Sequence, residues 1–307
     1  MTDRIVVVGS INADIIATVP ERAAAGKTVL VSGVERRCGG KGANQAAAAA
    51  RAGAETVLIA AVGDDHDGEA QLAELVRDGV DVSAVLTLPG VPTGFAFITV
   101  TPDGENSITV APGANAELTA EHALAALESA APALVALQTE VSAEVVDVVG
   151  GWCAARGVRL VLNDGPVVPL SRATLAAAHP LVVNEHEARE ICAAGREVAV
   201  DDLAAAVSDA TGAQSVVVTL GDVGSQIAEG DRVRRVPAAR AAVIRDTTGA
   251  GDTFLGTLAA GLAAGEDLVG AVRLASAAAA ESVSWIGARP PARDDLSVST
   301  ASPAAAR

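Results

Sequence analysis

The chain has 307 residues, of which 50% are hydrophobic and 20% charged, and its formal net charge is −16. This length and apolar content suffice for one large core or two modest ones, and they exclude general disorder. The negative charge repels polyanions, which argues against nucleic acid or an anionic membrane as the main partner. Since tyrosine is absent and Phe and Trp number only 3 and 2, an aromatic platform for single-stranded nucleic acid is also not expected.

The cysteines and the hydrophobic runs favour a cytoplasmic protein. Cys38, Cys153 and Cys192 are odd in number and lack metal-ligand spacing, which is typical of reduced thiols. The first residues lack the basic segment of a signal peptide, and no apolar stretch reaches the roughly 20 uncharged residues that a membrane-spanning helix needs. We therefore expect a cytoplasmic protein that has no membrane partner.

Short apolar runs alternate with helix-like stretches along the chain. The runs, each typical of a strand buried on both faces of a parallel sheet, are residues 5–9, 56–60, 133–137, 158–162, 181–183 and 215–219. The main helix-like stretches are residues 43–52, 66–78, 120–130, 143–155 and 203–210. This alternation predicts a three-layer α/β/α domain, in which helices cover both faces of a mainly parallel central sheet.

Two regions depart from the alternation. Residues 15–36 and 82–110 are rich in β-branched residues and turn signals, which predicts a small β-sheet lid. The α/β domain would then comprise residues 1–14, 37–81 and 111–290. Residues 291–307 lack periodicity, and we expect them to form a loosely ordered tail.

Two common phosphate-binding motifs are absent. The residues after the first predicted strand, 9–14, do not match the G-x-G-x-x-G fingerprint of dinucleotide-binding proteins. Gly40-Lys41 is followed by Gly42 rather than by Ser or Thr, so it is not a P-loop. Any phosphate site must therefore use another arrangement.

Residues 246–253, Asp-Thr-Thr-Gly-Ala-Gly-Asp-Thr, precede a long apolar stretch. Small residues at a helix start leave backbone N–H groups bare, and the helix dipole adds partial positive charge there. Gly249, Ala250 and Gly251 are therefore candidates for an anion hole. Asp252 beside them can accept the proton of an attacking hydroxyl during phosphoryl transfer. A plain helix cap would explain Asp252, but not the Gly-Ala-Gly run before it.

Two signatures identify a family resemblance. Residues 246–252 resemble the D-T-x-G-A-G-D signature of the PfkB carbohydrate-kinase family, and residues 39–45, Gly-Gly-Lys-Gly-Ala-Asn-Gln, resemble its second signature. Residues 9–14, 103–106 and 112–116, together with Asn163, are similar to the ribokinases of that family. The resemblance extends to Ala288 and implies a ribokinase-like fold with a β-sheet lid.

The resemblance also implies a reaction. ATP would phosphorylate D-ribose at its primary hydroxyl to give ribose 5-phosphate, with Asp252 as the base and the amides of residues 249–251 as the anion hole. Alternative acceptors in the family are another sugar or a nucleoside, such as deoxyribose, fructose or adenosine. A non-catalytic sugar-binding protein is a further alternative, although such a protein would be expected to have lost Asp252 or the glycines beside it.

The resemblance assigns the sugar to residues from four parts of the chain: Asn12, Asp14, Gly40, Lys41, Gly42, Asn44, Glu140 and Asp252. An amide and a carboxylate after the first strand suit vicinal hydroxyls, although an ordinary Asx-turn would explain that pair equally well. Glycines at a loop-to-helix junction let the backbone approach a ligand closely. Lysine occurs elsewhere only at Lys27, so the lysine in this loop is conspicuous.

The residues that the resemblance assigns to ATP and Mg²⁺ are Asn184, Glu187, Thr219, Gly221, Asp222, Gly224, Gly251 and Ser276. Asn184 and Glu187 offer the oxygen ligands that Mg²⁺ prefers. The same pair is typical of a helix capping box, and both interpretations can hold together. Ser276 stands where a histidine near the adenine is known in the family, which puts the contacts with the base in question.

A monovalent cation, usually K⁺, binds beside the anion hole in ribokinase-like enzymes. The equivalent positions in this chain are Asp246, Thr248, Ser282, Trp285, Gly287 and Pro291. The last position is commonly serine in the family, and the proline here keeps only the carbonyl oxygen. The resemblance further implies a homodimer that forms through the exposed lid sheet.

Overall fold

The computed structural model describes residues 4–102, 106–192 and 198–290, so residues 291–307 of the predicted tail lie outside it. Its strands are β1 (Ile5–Val8), β2 (Asn12–Thr18), β3 (Gly33–Gly39), β4 (Thr56–Gly63), β5 (Val80–Asp81), β6 (Val85–Leu88), β7 (Gly94–Val100), β8 (Asn106–Ala111), β9 (Leu134–Gln138), β10 (Arg159–Asn163), β11 (Ala178–Asn184), β12 (Ser215–Thr219), β13 (Gly224–Glu229) and β14 (Arg232–Pro237). Its α-helices are α1 (Lys41–Arg51), α2 (His66–Arg77), α3 (Ala120–Ala130), α4 (Ala143–Arg156), α5 (Arg172–Ala177), α6 (Glu185–Cys192), α7 (Leu203–Thr211), α8 (Ala250–Ala263) and α9 (Leu268–Ser282). No helix in these ranges is long and apolar enough to cross a membrane.

The main sheet has ten strands, and most of them are parallel. Its order is β14-β13-β12-β11-β10-β9-β1-β4-β5, and β6 pairs with the second half of β4 beside β5. The strands from β12 to β5 and β6 are parallel, whereas β13 and β14 are antiparallel additions at one edge. The predicted α/β fold with a mainly parallel central sheet is confirmed, and the β13–β14 hairpin is a feature that the apolar runs did not reveal.

Alternate side chains of the central strands bury into two separate cores. In β1, Val6 and Val8 pack in a cluster with residues of α3, α4 and α7. Ile5 and Val7 pack on the opposite face with residues of α1, α8 and α9. Successive residues of a strand point to opposite faces, so this Ile-Val-Val-Val strand requires a helical layer on each side.

Helices α1 and α8 approach each other closely, which brings two sequence signatures together. A Cβ at Gly256 of α8 would lie 2.3 Å from the carbonyl oxygen of Gln45 in α1 and 2.6 Å from the Cβ of Ala48. Only glycine allows this spacing. The glycine thus sets the distance between the start of α8 and the start of α1.

A second sheet has four strands in the order β3-β2-β7-β8. It includes residues 12–14 and 37–39, which lie outside the predicted lid ranges, whereas β6 falls inside the range 82–110 yet pairs in the main sheet. Strand β6 joins the main sheet because β4 has 8 residues and β5 pairs only with its first residues. The last four residues of β4 are therefore open for pairing with β6. The division into an α/β domain and a lid domain remains a prediction.

Candidate active site

Helix α8 begins at a left-handed glycine. Gly249 has φ 74°, and a Cβ there would lie 2.5 Å from the Cα of Ala288. The amide of Thr253 makes the first helical bond, to the Gly249 carbonyl at 2.8 Å. Within the described residues, the N–H groups of Gly251 and Asp252 have no protein acceptor, so this turn can receive an anion. The Ala250 amide differs from the expectation, because it donates to the carbonyl of Thr247 at 3.2 Å.

The carboxylate of Asp252 is held by α1. Asn44 Nδ2 donates to its Oδ2 at 2.9 Å, and Gln45 Nε2 donates to its Oδ1 at 3.1 Å. Gln138, which is 0% exposed at the end of β9, donates Nε2 to the Gln45 Oε1 at 2.6 Å. This last bond orients the Gln45 amide so that its NH₂ group faces Asp252. One donor on each oxygen therefore fixes the carboxylate in place.

Asp252 faces a cleft of about 160 Å³ at the carboxyl ends of the parallel strands. The cleft is lined by Lys41, Asn163, Val182, Val183, Asn184, Glu187, Thr219, Gly249, Gly251, Asp252, Phe254 and Leu255. Ligands of open α/β sheets bind at this end. Residues predicted for the sugar, for ATP and for the anion hole thus meet in one cleft.

The glycine loop before α1 packs against the end of β1. Gly40 has φ 88°, and a Cβ there would lie 2.6 Å from the Asn12 amide nitrogen. A Cβ at Gly42 would lie 2.6 Å from the Ser10 nitrogen. The amide of Ala43 donates to the Ser10 carbonyl at 2.9 Å. The glycines therefore let the start of α1 sit directly on the β1–β2 connection.

Lys41 lines the cleft, and Glu140 lies directly beside it. Glu140 accepts hydrogen bonds from the Lys41 amide at 3.1 Å and from the Ser10 hydroxyl. Burial disfavours the charged ammonium of Lys41, but the carboxylates of Asp252, Glu140 and Glu187 outweigh it and raise its pKa. Lys41 therefore stays cationic inside a cleft that carboxylates surround.

Asn12 and Asp14 lie at the start of β2. Asn12 is buried, and its Oδ1 accepts from Asn115 Nδ2 at 2.8 Å. Burial, and next the charge of Glu140, raise the pKa of Asp14 to about 7. A Cβ at Gly39 would lie 2.2 Å from Asp14 Oδ2, so glycine is required beside this carboxylate.

Asn184 and Glu187 form a reciprocal capping box at the start of α6. The Glu187 amide donates to Asn184 Oδ1 at 2.9 Å, and the Asn184 amide donates to Glu187 Oε2 at 2.8 Å. Both residues also line the cleft. Burial raises the pKa of the neighbouring Asp164 to about 6, and the charge of Glu187 adds to this effect. The cap is therefore present, and it presents the Glu187 carboxylate to the cleft.

Of the other residues predicted for the nucleotide, Thr219 and Gly251 line the cleft. Gly221 and Gly224 have φ 59° and 117° in the turn between β12 and β13, and a Cβ at Gly224 would lie 2.2 Å from the Val236 carbonyl oxygen. Asp222 is exposed on that turn. Ser276 Oγ accepts from the Ala239 amide at 3.1 Å, which uses one of its two acceptor positions.

Of the residues predicted for the monovalent cation, Asp246 and Thr248 lie in the loop before α8, Ser282 is the last residue of α9, and Trp285 and Gly287 follow it. Asp246 accepts from the amide of Thr248 at 2.9 Å and from that of Gly287 at 2.8 Å. The Trp285 amide donates to the Ser282 carbonyl at 3.3 Å. Pro291, like residues 103–105 of a predicted motif, lies outside the described residues.

The Asp246 carboxylate is already in contact with a cationic side chain. Burial opposes its ionisation, but the hydrogen bonds from Thr248 and Gly287 and the charge of Arg37 lower its pKa. The nearest Arg37 nitrogen is 3.6 Å from Asp246 Oδ2. In the parts of the chain that the structure describes, no group of three or more His, Cys, Asp or Glu could hold a metal ion.

Three residues that shape the site were not predicted from the sequence: Gln45, Gln138 and Arg289. Gln45 sits inside a recognised signature, so its position next to Asn44 was an available signal. Gln138 directly follows the predicted strand run of residues 133–137, which marks the correct edge of the sheet but does not reveal that Gln138 bonds to Gln45. Arg289 belongs to no motif, and only the folded chain brings it to Asn44, 3.0 Å from Oδ1.

Known proteins match this chain over nearly its whole length. A model of the pfkB family carbohydrate kinases matches residues 2–295. A ribokinase of Bacillus subtilis (strain 168) is 37% identical over 285 residues, 93% of this chain and 94% of that protein. A deoxyribokinase of Salmonella typhi is 30% identical over 286 residues, 92% of this chain and 93% of that protein.

A solved structure agrees over nearly the same length. The Arabidopsis thaliana ribokinase complexed with ribose and ATP has a TM-score of 0.84 at 30% identity, covering 94% of this chain and 95% of that one. The family model and the relatives therefore both cover the residues that form the two sheets and the cleft. The chain belongs to the pfkB family of carbohydrate kinases and is a phosphotransferase.

Proposed function

We propose that the protein transfers the γ-phosphoryl group of ATP to the primary hydroxyl of D-ribose, giving ribose 5-phosphate and ADP. The observation that carries this proposal is the Asp252 carboxylate, which is held on both oxygens beside a helix start with bare amides. Support for ribose comes from the ribokinase of Bacillus subtilis and from the Arabidopsis enzyme that was solved with ribose and ATP.

The chemistry needs little beyond position and charge. Asp252 takes the proton of the hydroxyl, the hydroxyl oxygen forms a bond to the γ-phosphorus, and the bond from that phosphorus to the β,γ-bridging oxygen breaks. The N–H groups of Gly251 and Asp252 oppose the negative charge on the transferred group. Lys41, kept cationic by its neighbours, adds a positive charge in the same cleft.

The sugar residues would hold ribose opposite this helix start. Asp14 and Asn12 follow β1, and Glu140 and the glycine loop close the same side. A carboxylate and an amide can together receive and donate hydrogen bonds to neighbouring hydroxyls. We assign the orientation of ribose to these residues and that of ATP to the side of Asn184, Glu187 and Thr219.

The donor set of the cleft suits Mg²⁺ bound mainly through water and phosphate oxygens. Glu187 and Asn184 supply oxygens at the nucleotide side, and Mg²⁺ commonly takes only one or two carboxylates together with phosphates and waters. When bound, the ion neutralises charge on the phosphate oxygens. Within this chain, the capping box holds the Glu187 carboxylate in place for that contact.

The loops around Asp246 suit K⁺, since a carboxylate and backbone carbonyls are oxygen ligands. Asp246, Thr248 and Gly287 are in direct contact, and the bond from Gly287 keeps the two loops together next to Gly249. A bound cation would add positive charge behind the anion hole. Arg37, 3.6 Å from Asp246, already supplies part of that charge.

Deoxyribose is the second candidate acceptor. The specific observation in its favour is the similarity to the deoxyribokinase of Salmonella typhi, at 30% identity. Fructose and adenosine have less support, and a protein without catalytic activity would have no reason to keep Asp252 and its two donors. The two leading acceptors differ by one hydroxyl, so they can be separated directly by kinetics.

The decisive experiment measures ADP release with ribose, deoxyribose, fructose and adenosine, with and without Mg²⁺ and K⁺. Asp252→Asn should reduce kcat on the preferred acceptor by about 10²- to 10⁴-fold, because the base is lost. Asp267→Asn is the matched control, since Asp267 also starts a helix but its carboxylate accepts from the Gly270 amide in α9 and does not line the cleft. A parent-like Asp252→Asn variant, or a strong preference for another acceptor, would refute the assignment.

We also propose that the protein is a cytoplasmic homodimer that forms through the small sheet. Its exposed hydrophobic side chains are Val34, Phe97, Ile108 and Val110. Exposed apolar side chains on an open sheet favour pairing with a second copy. Replacing Ile108 and Val110 by lysine should shift the sedimentation coefficient to that of a monomer, and an unchanged dimer would place the interface elsewhere.

A further inference from the structure

Arg289 reaches back from the C-terminal segment to the catalytic side of α1. Its Nε donates to Asn44 Oδ1 at 3.0 Å, and its Nη2 donates to Gln71 Oε1 at 3.3 Å and to the Gly39 carbonyl at 3.4 Å. The residue is two positions after Gly287, whose amide is bonded to Asp246. The Arg289 side chain thus connects α1, α2 and β3 to the loop that contains Gly287.

The bond to Asn44 decides which way its amide points. A guanidinium only donates hydrogen bonds, so the oxygen of the amide must face Arg289 and its NH₂ group must face the opposite side. There it donates to Asp252 Oδ2 at 2.9 Å. If the amide turned over, its oxygen would face the carboxylate, and the two acceptors would repel each other.

The other contacts of Arg289 lead to the sugar side. Gln71, which accepts from Arg289, donates Nε2 to the backbone carbonyl of Asn12 at 2.7 Å. The Gly39 carbonyl, also an acceptor, directly precedes Gly40 in the glycine loop. Arg289 is therefore bonded directly to Asn44 and, through Gln71, to the backbone of Asn12, and both asparagines are proposed for ribose.

A half-buried cation with one fully buried nitrogen has a cost. Burial lowers the pKa of Arg289, and its Nη1 is buried without a hydrogen-bond partner among the described residues. Burying a charge without full pairing is unfavourable. A neutral side chain of similar length would pack there without that cost, so stability alone does not explain the guanidinium.

We propose that Arg289 is a positioning residue for phosphoryl transfer, which orients the Asn44 amide toward Asp252 and holds the glycine loop in the sugar-binding position. The inference rests on the proposed function, because it takes Asp252 as the base and Asn44 as a sugar contact.

The test compares Arg289→Met with the parent in steady-state kinetics for both substrates. We expect kcat to fall on the order of 10- to 100-fold, the KM for ribose to rise, and the KM for ATP to stay unchanged. A loss of folded enzyme would lower kcat alone. Arg159→Met is the matched control, since Arg159 is also a half-buried arginine but donates to the His179 carbonyl away from the cleft.

A double-mutant cycle tests the route through Asn44. Once Asn44→Ala has removed the amide, adding Arg289→Met should change kcat by less than about twofold, because the two changes break the same connection. Full additivity of the two kcat effects would overturn the proposal. So would a parent-like KM for ribose in Arg289→Met.

The outcome is separable from that of the proposed function. If the parent phosphorylates a different acceptor, the same cycle is run with that acceptor, and its result still decides the role of Arg289. If the parent phosphorylates ribose and Arg289→Met behaves like Arg159→Met, the function stands and the positioning role is refuted.

Discussion

Lowering the pH should weaken ribose use through a single carboxylate, Asp14. Its pKa is raised to about 7, first by burial and then by Glu140. The ionised form can accept two hydroxyl hydrogen bonds, whereas the neutral acid must donate one of its own. With a pKa near 7, the ionised fraction falls about tenfold between pH 8 and pH 6. We expect kcat/KM for ribose to fall by the same factor, since this ratio reports the free enzyme.

The same group makes a stability prediction of defined sign. A carboxyl whose pKa is raised on folding binds its proton more tightly in the folded state, so its contribution to stability is present at low pH and is lost as the pH rises toward 7. The loss between pH 5 and pH 7 is two units at 1.36 kcal/mol each, reduced because the group is half ionised at pH 7, and so about 2 kcal/mol. Asp14→Asn removes this loss, so the variant should gain stability over the parent as the pH rises.

Two assays check this reasoning on the same pair of proteins. Urea denaturation at pH 5 and pH 8 gives the difference in unfolding free energy, and ADP release against ribose at both pH values gives kcat/KM. Asp14→Asn should lose the tenfold pH dependence and most of the activity, yet become relatively more stable at pH 8. An acid limb that persists in Asp14→Asn would assign it to another group, such as Asp164, whose pKa is about 6.

Two further changes follow from the helix start and the cation loops. Gly249→Ala places a Cβ 2.5 Å from Ala288 at a φ of 74°. The unfolding free energy should therefore fall by about 2 kcal/mol, and kcat should fall at least tenfold. The control is Gly212→Ala, because Gly212 has a φ of 72° but nothing within 4 Å of an added Cβ; this variant should lose about 1 kcal/mol of unfolding free energy and keep its kcat. Arg37→Met removes the cation 3.6 Å from Asp246, so half-maximal activation should need severalfold less K⁺; an unchanged K⁺ titration would contradict this.

Local patterns were sufficient for the main architecture. Apolar runs of four or five residues, such as Ile5–Val8 and Ser215–Thr219, predicted buried parallel strands because both faces of such strands must be apolar. The five predicted helical stretches agree with the observed helices to within two residues at each end, for example Ala120–Ala130 and Leu203–Thr211, whereas the short helix Arg172–Ala177 was not predicted. The strand of residues 85–88 was placed in the wrong sheet, because pairing partners are set by which edge is open and not by composition.

The two signatures, read from the sequence alone, indicated the family, the base Asp252 and the glycines that a helix start needs. These features can be predicted from the sequence because the turn with bare amides and the neighbouring carboxylate lie within a few residues of each other in the chain. What only the tertiary structure decided is how the carboxylate is held. Asn44 and Gln45 bond to it directly, whereas Gln138 bonds to Gln45, and Arg289 bonds to Asn44 from 245 residues away in the chain. No local pattern encodes a hydrogen bond between residues that meet only after the layers have packed.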